Sequence, residues 1–284
     1  MELETFDLLF NFLLLIFWFR IWTGGDSRLF FNPYLAPISR VTEAIFAFLW
    51  PVFRRTPRNL IATLLVVLLL AFRGLMIPDT TIWPLTFGFE HQICPPALQF
   101  HMAFSVLSFC IFLFKVWGFS LIFVRISFGP FDHAWDTLYR LSFPFSGLKA
   151  DLRPLALAVI GIFLAFLLDL TGGIAQGDAT LPAMLKPSLF LKYFISAFAC
   201  WASVLPVLSA LLVVLIVGAW MALFTTSSRL GFFCREWLDL LMGPLRNYPI
   251  RIGMLDLTPL VFMFAIQWIY PLIVNVLYAS YKRL

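Results

Sequence analysis

The chain alternates two kinds of apolar pattern. Long, nearly unbroken apolar runs occupy about 3–22, 60–77, 98–124, 154–170, 191–223 and 259–279. Each is close to or beyond the roughly 18–20 apolar residues that cross a membrane as a helix. Shorter stretches with helical periodicity lie between the first and second runs, the third and fourth, and the fifth and sixth. In the first, Tyr34, Ile38, Val41, Ile45, Phe48, Leu49 and Val52 share a face opposite Arg40, Thr42 and Glu43. In the second, Phe131, Trp135, Leu138 and Leu141 oppose Asp132, His133, Asp136, Thr137 and Arg140. In the third, Leu230, Phe233, Trp237, Leu238 and Leu241 oppose Arg235, Glu236 and Asp239. Each stretch is too short and too polar to span. Each suits a helix lying in the interface with its aromatics toward the membrane. The pattern predicts an all-α membrane protein: six transmembrane helices in three hairpin repeats, each with a cytoplasmic interfacial amphipathic helix.

The three units, at 1–78, 97–171 and 190–280 of a single membrane domain, share their punctuation. The chain reads WPVFRRTPRNL at 50–60, FPFSGLKADLRPL at 143–155 and GPLRNYPIRIGMLDLTPL at 243–260. Pro51, Pro144 and Pro244 end the interfacial helices, because a proline disfavours helical geometry in the residue before it. Basic residues follow, among them Arg54, Arg55 and Arg246. Asp151, Asp256 and Thr258 are placed to cap the next span, and Pro57, Pro154 and Pro259 to sit in its first turn, where a missing N–H costs nothing. Helix-start chemistry accounts for these turn residues, so they read as structural.

Composition agrees with the membrane reading. Hydrophobic residues make up 62% of the chain and charged residues 12%, too little charge to cover a soluble protein of 284 residues. Segments 23–59, 125–153 and 224–258 carry 5, 4 and 4 Lys/Arg, whereas 78–97 carries none. The positive-inside rule therefore places the three basic segments in the cytoplasm and both termini outside. Glu2, Glu4 and Asp7 stand where a signal peptide carries basic residues, so the first span is expected to be retained. No connection is much longer than about 35 residues, too short for a catalytic domain of ordinary size. The four cysteines form no C-x-x-C pattern, which argues against a disulfide framework, a zinc site and covalent haem attachment. An outer loop at 78–97 would leave Cys94 open to a thiol reagent, with Cys234 on the cytoplasmic side.

The repeated unit resembles the YggT (YlmG) family of small bacterial and plastid membrane proteins. The third unit carries the resemblance through Pro244, Arg246, Pro249, Asp256, Thr258 and Pro259, over about 228–279. The first does so through Asn32, Pro33, Pro51, Arg54, Arg55 and Pro57, over about 29–77. The middle unit keeps Pro144, Asp151 and Pro154 but has Ser146 where the family pattern has arginine. Members usually carry one or two units, and this chain has three. The resemblance implies a bacterial inner (cytoplasmic) membrane and links to cell division, osmotic tolerance, nucleoid distribution in plastids and haem attachment to a cytochrome. It implies no catalytic residues.

Polar residues inside the spans are costly and are the natural functional candidates. Asn11, Lys115 and Gln267 all fall roughly 12–16 Å from the cytoplasmic ends of their spans, one from each unit. They form either interhelical glue or the lining of a path. Arg73, with Asp7 and Asp169 at similar outer depth, is a candidate ion pair. His91 and His101, with Cys94 nearby, are weak haem candidates, and His133 lies on the other side. Nothing matches a nucleophile elbow, a phosphate-binding glycine loop or a metalloprotease helix. The expected function is therefore non-enzymatic and without a cofactor: a scaffold, assembly factor or subunit of a larger membrane complex. An ion or osmolyte transporter or channel is the first alternative, and a haem-handling assembly factor the second. Expected partners are other membrane proteins and anionic headgroups on the cytoplasmic side, attracted by the basic segments. Nucleic acid is not expected, since the basic residues are few and mixed with acids.

Overall fold

A computed structural model describes residues 3–24, 26–76, 83–95, 97–126, 133–176, 186–224, 228–252 and 255–284. The fold is all-α. Its helices are α1 (Leu3–Thr23), α2 (Ala36–Leu49), α3 (Arg58–Met76), α4 (Leu98–Ile126), α5 (His133–Leu141), α6 (Leu152–Gln176), α7 (Pro187–Ala202), α8 (Val204–Phe224), α9 (Ser228–Met242) and α10 (Thr258–Lys282). Six helical stretches are long and apolar enough to cross a membrane: α1, α3, α4, α6, α7 with α8, and α10. The chain is a multi-pass membrane protein. The helices before and after each amphipathic helix pack on each other: α1 on α3, α4 on α6, and α8 on α10.

The fifth apolar run, one span by length and apolarity, is built from two helices. It breaks at Ser203, just ahead of Pro206. Proline at 206 has no N–H to give the carbonyl of Ala202, and its ring crowds that carbonyl. The Ser203 hydroxyl closes the broken end by donating to the Cys200 carbonyl at 2.6 Å. The two halves take different neighbours: α7 packs chiefly on α6, while α8 packs on α9 and α10.

The amphipathic helices α2, α5 and α9 form where the periodicity places them, and each ends two or three residues before its proline. The face of α2 that packs on protein, however, is not its apolar one. Ala36, Ser39, Thr42 and Phe46 are buried, whereas Val41 and Phe48 are 55% and 84% exposed. Beside a membrane the apolar residues have lipid to face, so amphipathicity alone does not mark the inward side. The small residues let α2 approach its neighbours closely. Thr42 satisfies its hydroxyl on the Ile38 and Ser39 carbonyls of its own helix.

Two short antiparallel hairpins complete the fold. Strands β3 (Arg251–Ile252) and β4 (Leu255–Asp256) lead into α10. Strands β1 (Pro84–Phe87) and β2 (Glu90–Ile93) lie between α3 and α4 and pair Pro84 with Ile93 through Phe87 with Glu90. This second hairpin belongs to a core. Trp83, Leu85, Phe87 and Cys94 are buried in one cluster with residues of α4, α6 and α7. A second cluster joins α5, α8, α9 and α10, and a third joins α1, α2, α3 and α4.

Candidate functional site

Polar side chains are tied in three places. The first lies where α1, α3 and α4 meet. Arg73 is fully buried. It forms an ion pair with Asp7, donates to Asn11 Oδ1 at 3.0 Å and to Ser108 Oγ at 2.6 Å, and lies 5.1 Å from the Trp83 ring centre. Ser108 passes its own proton toward Asp7 Oδ2 at 2.9 Å, and Asn11 Nδ2 reaches the same oxygen at 3.2 Å. Arg73 and Asp7 thus come together as an ion pair. Asp169 does not join them: it accepts from the Tyr193 hydroxyl at 2.6 Å, between α6 and α7.

The residues expected at one depth take separate partners. Asn11 belongs to the Arg73 cluster, and Gln267 donates to Ser209 of α8 at 3.2 Å. Lys115 is half-buried and makes no hydrogen bond or ion pair among the described residues. Spacing along each helix gave them a common depth. It could not say which way each side chain turns around its helix.

The second place is a belt among the amphipathic segments. Asn32, just before α2, is buried and donates to the His133 carbonyl, Asp136 and Thr137 of α5 at 3.0–3.1 Å. Its own Oδ1 accepts the Tyr34 N–H at 3.0 Å. The Tyr34 hydroxyl bonds Glu236 of α9, and Glu236 Oε1 in turn accepts the Ala134 N–H at the start of α5, at 2.9 Å. Glu236 thereby caps one helix from another and sits at its positive end. Arg140 of α5 binds Asp26 at 2.8 Å and Asp136 at 2.9 Å. Burial pulls that guanidinium down, but the two carboxylates outweigh it and hold it above its ordinary value. A buried Arg20 paired with Glu43 ties α1 to α2, and Glu43 also meets Arg58 at 3.1 Å. None of these pairings stood out in the sequence. The one available signal was Asn32–Pro33, a polar residue and a helix starter directly before an amphipathic run.

The third place is the β1–β2 hairpin, which enters the bundle. Phe87 is fully buried, 5.4 Å from the Phe114 ring, about 24 Å along α4 from its N-terminal end. Gly88, at the turn, abuts the Ser196 carbonyl of α7. Gln92 lies against Gly172 of α6, where a Cβ would come within 2.1 Å of its amide oxygen. Non-helical backbone is tolerated at such depth only when protein surrounds it. Glu90 accepts from the Tyr281 hydroxyl at 2.9 Å and from Ser196 at 3.4 Å. Cys94 is therefore buried and not open to reagent, and burial pushes its thiol up to about 12. Cys234 is buried as well. The topology needs introduced thiols instead, such as His91→Cys and Lys149→Cys at exposed positions.

Burial also pushes the Glu90 carboxyl up, and the nearby Asp169 charge adds to this, while bonds from Tyr281 and Ser196 and the Lys192 charge act against it. An acid raised in the folded state contributes stability that is full below its unfolded pKa and is lost as pH rises through the folded one. Glu90→Gln keeps an oxygen to accept both bonds without the charge. It is expected to raise thermal stability near pH 8 and to give no gain near pH 4. A gain of equal size at both pH values would show that the charge is not the cause.

The haem candidates lie in unlike surroundings. His91 is exposed on β2 with Nδ1 2.8 Å from the Thr86 hydroxyl, whereas His101 is buried in α4. Among the described residues no three His, Cys, Asp or Glu side chains are grouped to hold a metal.

The turns into the spans are structural in detail. The N-cap of α10 is Leu257, between the two candidates Asp256 and Thr258. Asp256 nonetheless accepts the first helical N–H, from Thr258, at 2.9 Å, as well as the Thr258 hydroxyl at 2.5 Å. Thr258 Oγ accepts the Ile250 N–H at 2.8 Å, which ties the residue before β3 to the start of the helix. Asp151 is 91% exposed and meets Arg125 at 3.7 Å, at the surface. Pro154 and Pro259 stand in the first turns of α6 and α10, and Pro57 directly precedes α3. Arg54 and Arg55 are exposed, and Arg246 pairs with Asp239 at the surface. Asp256→Ala is expected to destabilise the entry to α10 by about 0.5–2 kcal/mol, the worth of a helix cap. It should lower protein level and leave activity per folded molecule unchanged. Full accumulation with lost function would make Asp256 a site residue.

Compared with known proteins, the chain matches no family model, no curated protein and no solved structure.

Proposed function

We propose that this chain is a non-enzymatic scaffold, assembly factor or subunit of a larger membrane complex, built from three YggT-like units in a bacterial inner membrane with both termini outside. The observation that carries this reading is the fate of the polar residues. Asp7, Asn11, Arg73, Asp169 and Gln267 all bond side chains of neighbouring elements, as rigid joints do. The Asn32–Tyr34–Glu236 belt ties the three interfacial helices into one platform. Beyond it, α10 turns apolar residues outward, with Trp268 77% exposed. Purification in mild detergent, with identification of co-purifying membrane proteins, tests the scaffold reading. Recovery of the chain alone from several detergents and lipid discs counts against it.

One observation favours a transporter: Lys115 has no bonded partner among the described residues. If the scaffold reading holds, Lys115→Met is tolerated, because methionine fills a similar volume without the cost of burying a charge. Protein level and partner recovery should stay within about twofold. Ion flux in liposomes that vanishes with Lys115→Met, at normal protein level, would replace the scaffold by a transporter.

A further inference from the structure

Between α4, α6 and α7 a crevice of about 590 Å³ runs along the bundle, with Trp135 and Tyr139 of α5 at one end. Its volume is that of an ordinary ligand site. We propose that it holds one anionic phospholipid, drawn from the leaflet beside the interfacial helices. One acyl chain lies in the crevice and the phosphate sits at Arg125 and Arg153.

The length of the crevice fits this occupant. It is lined along α4 from Arg125 to Phe114. Eleven residues of helix rise about 16 Å, half of a roughly 30 Å hydrocarbon core, which is the reach of a chain within one leaflet. The walls suit an acyl chain: Gly118, Ala158 and Ala197 line them among aromatic and aliphatic side chains, and Trp201 packs directly on Gly118, where a Cβ would come within 2.2 Å of its ring.

All the charge on the lining is at one end. Arg125 and Arg153 stand there with Trp135 and Tyr139, the aromatic types that seek the headgroup level. Arg153 is already oriented. Its Nε donates to the Leu148 carbonyl at 3.0 Å and its Nη2 to the Ser146 carbonyl at 2.9 Å, and the guanidinium lies 6.0 Å from the Tyr139 ring centre. Its Nη1 has no protein hydrogen bond among the described residues. Among the described residues Arg125 pairs only with the exposed Asp151, at 3.7 Å, a contact that a phosphate can displace at little cost. Two guanidinium groups against one carboxylate leave the mouth positive. Guanidinium groups match phosphate oxygens by paired hydrogen bonds. A headgroup with net negative charge is therefore preferred to a zwitterionic one.

The proposal rests on the membrane placement and not on the scaffold role, so loss of protein partners would leave it standing. The test is titration of the detergent-purified full chain with phosphatidylglycerol, read by native mass spectrometry. One lipid is expected to bind with high occupancy, and phosphatidylcholine with the same chains at least tenfold more weakly. Arg125→Gln and Arg153→Gln should each weaken binding about tenfold. Ala158→Trp should abolish binding with both arginines present, because it fills the slot. Arg54→Gln, on an exposed basic turn elsewhere, should change nothing. Arg153 also holds a turn, so the Arg125 and Ala158 variants decide if its variant fails to fold. Equal binding of phosphatidylcholine, or equal weakening by Arg54→Gln, would reduce the effect to diffuse attraction and overturn the site. Unchanged binding in Ala158→Trp, or competition by millimolar inorganic phosphate, would overturn the acyl-chain slot.

Discussion

Arg73→Met is expected to lower the stability of the folded protein by about 3–5 kcal/mol, the usual result of removing one partner of a buried ion pair. Arg73 is fully buried and Asp7 is 23% exposed, so its loss leaves a carboxylate among apolar helices with only Asn11 and Ser108 to bond. Three helices lose their common joint, because Asp7 and Asn11 are on α1, Arg73 on α3 and Ser108 on α4. Arg73→Lys should recover little. A single ammonium cannot reach Asp7, Asn11 and Ser108 in the fork that the guanidinium makes. Asp7→Asn combined with Arg73→Met removes both charges and should restore part of the loss. Thermal unfolding in detergent, with the double variant as the cycle's fourth corner, measures this. A double variant no better than Arg73→Met would mean that Arg73 acts by filling space and not by charge.

The second large effect is expected at Gly88. Its φ of +63° is a left-handed conformation that costs an L side chain roughly 1–2 kcal/mol. A Cβ there would also stand 2.0 Å from the Ser196 carbonyl oxygen, which cannot give way because it belongs to the backbone of α7. Overpacking of this kind adds about 1–3 kcal/mol. Gly88→Ala should therefore unseat the hairpin rather than unfold the bundle, since the packing of α1 on α3 and of α8 on α9 and α10 does not pass through it. Phe87 would leave the Phe114 ring, and Cys94 would become accessible. The measurement is the rate of thiol labelling at Cys94, with Cys110, Cys200 and Cys234 replaced by alanine or serine. It should rise at least tenfold. An unchanged rate would show that the hairpin is not held in the bundle by its tip.

The hairpin also shows where sequence reading stops. Residues 84–93 offer no periodicity longer than four residues, and Gly88–Phe89 is a weak turn signal. Nothing local distinguishes a loop that floats above the membrane from one that folds back into it. What draws it in is distant in sequence: Phe114 on α4, Gly172 on α6, Ser196 on α7 and Tyr281 on α10. Cys94 is buried for the same reason. The break at Ser203 was nearer to hand, because Pro206 is visible in the chain. Within a long apolar run, however, a proline near one end does not say whether the run is one bent span or two helices with different neighbours.

By itself the sequence determined the class of the fold, the positions of the six apolar stretches and of the three amphipathic helices, and the turn residues that separate them. These follow from local causes: enough apolar residues to match a membrane, a helical repeat of polar positions, and prolines that stop helices. It also brought Arg73 forward with Asp7 and Asp169 as its candidate partners, because few partners are available to a charge in hydrocarbon. The tertiary structure alone decided the rest. It turned α2 with its small polar face inward and sent Asp169 to Tyr193. It parted Asn11, Lys115 and Gln267, joined Asn32 to α5 and Glu236 to α5 and Tyr34, and left a slot beside Arg125 and Arg153. Depth along a helix is set by counting residues. The direction of a side chain around the helix acquires meaning only from the neighbour that packs there, and in a membrane apolarity no longer marks the inward side.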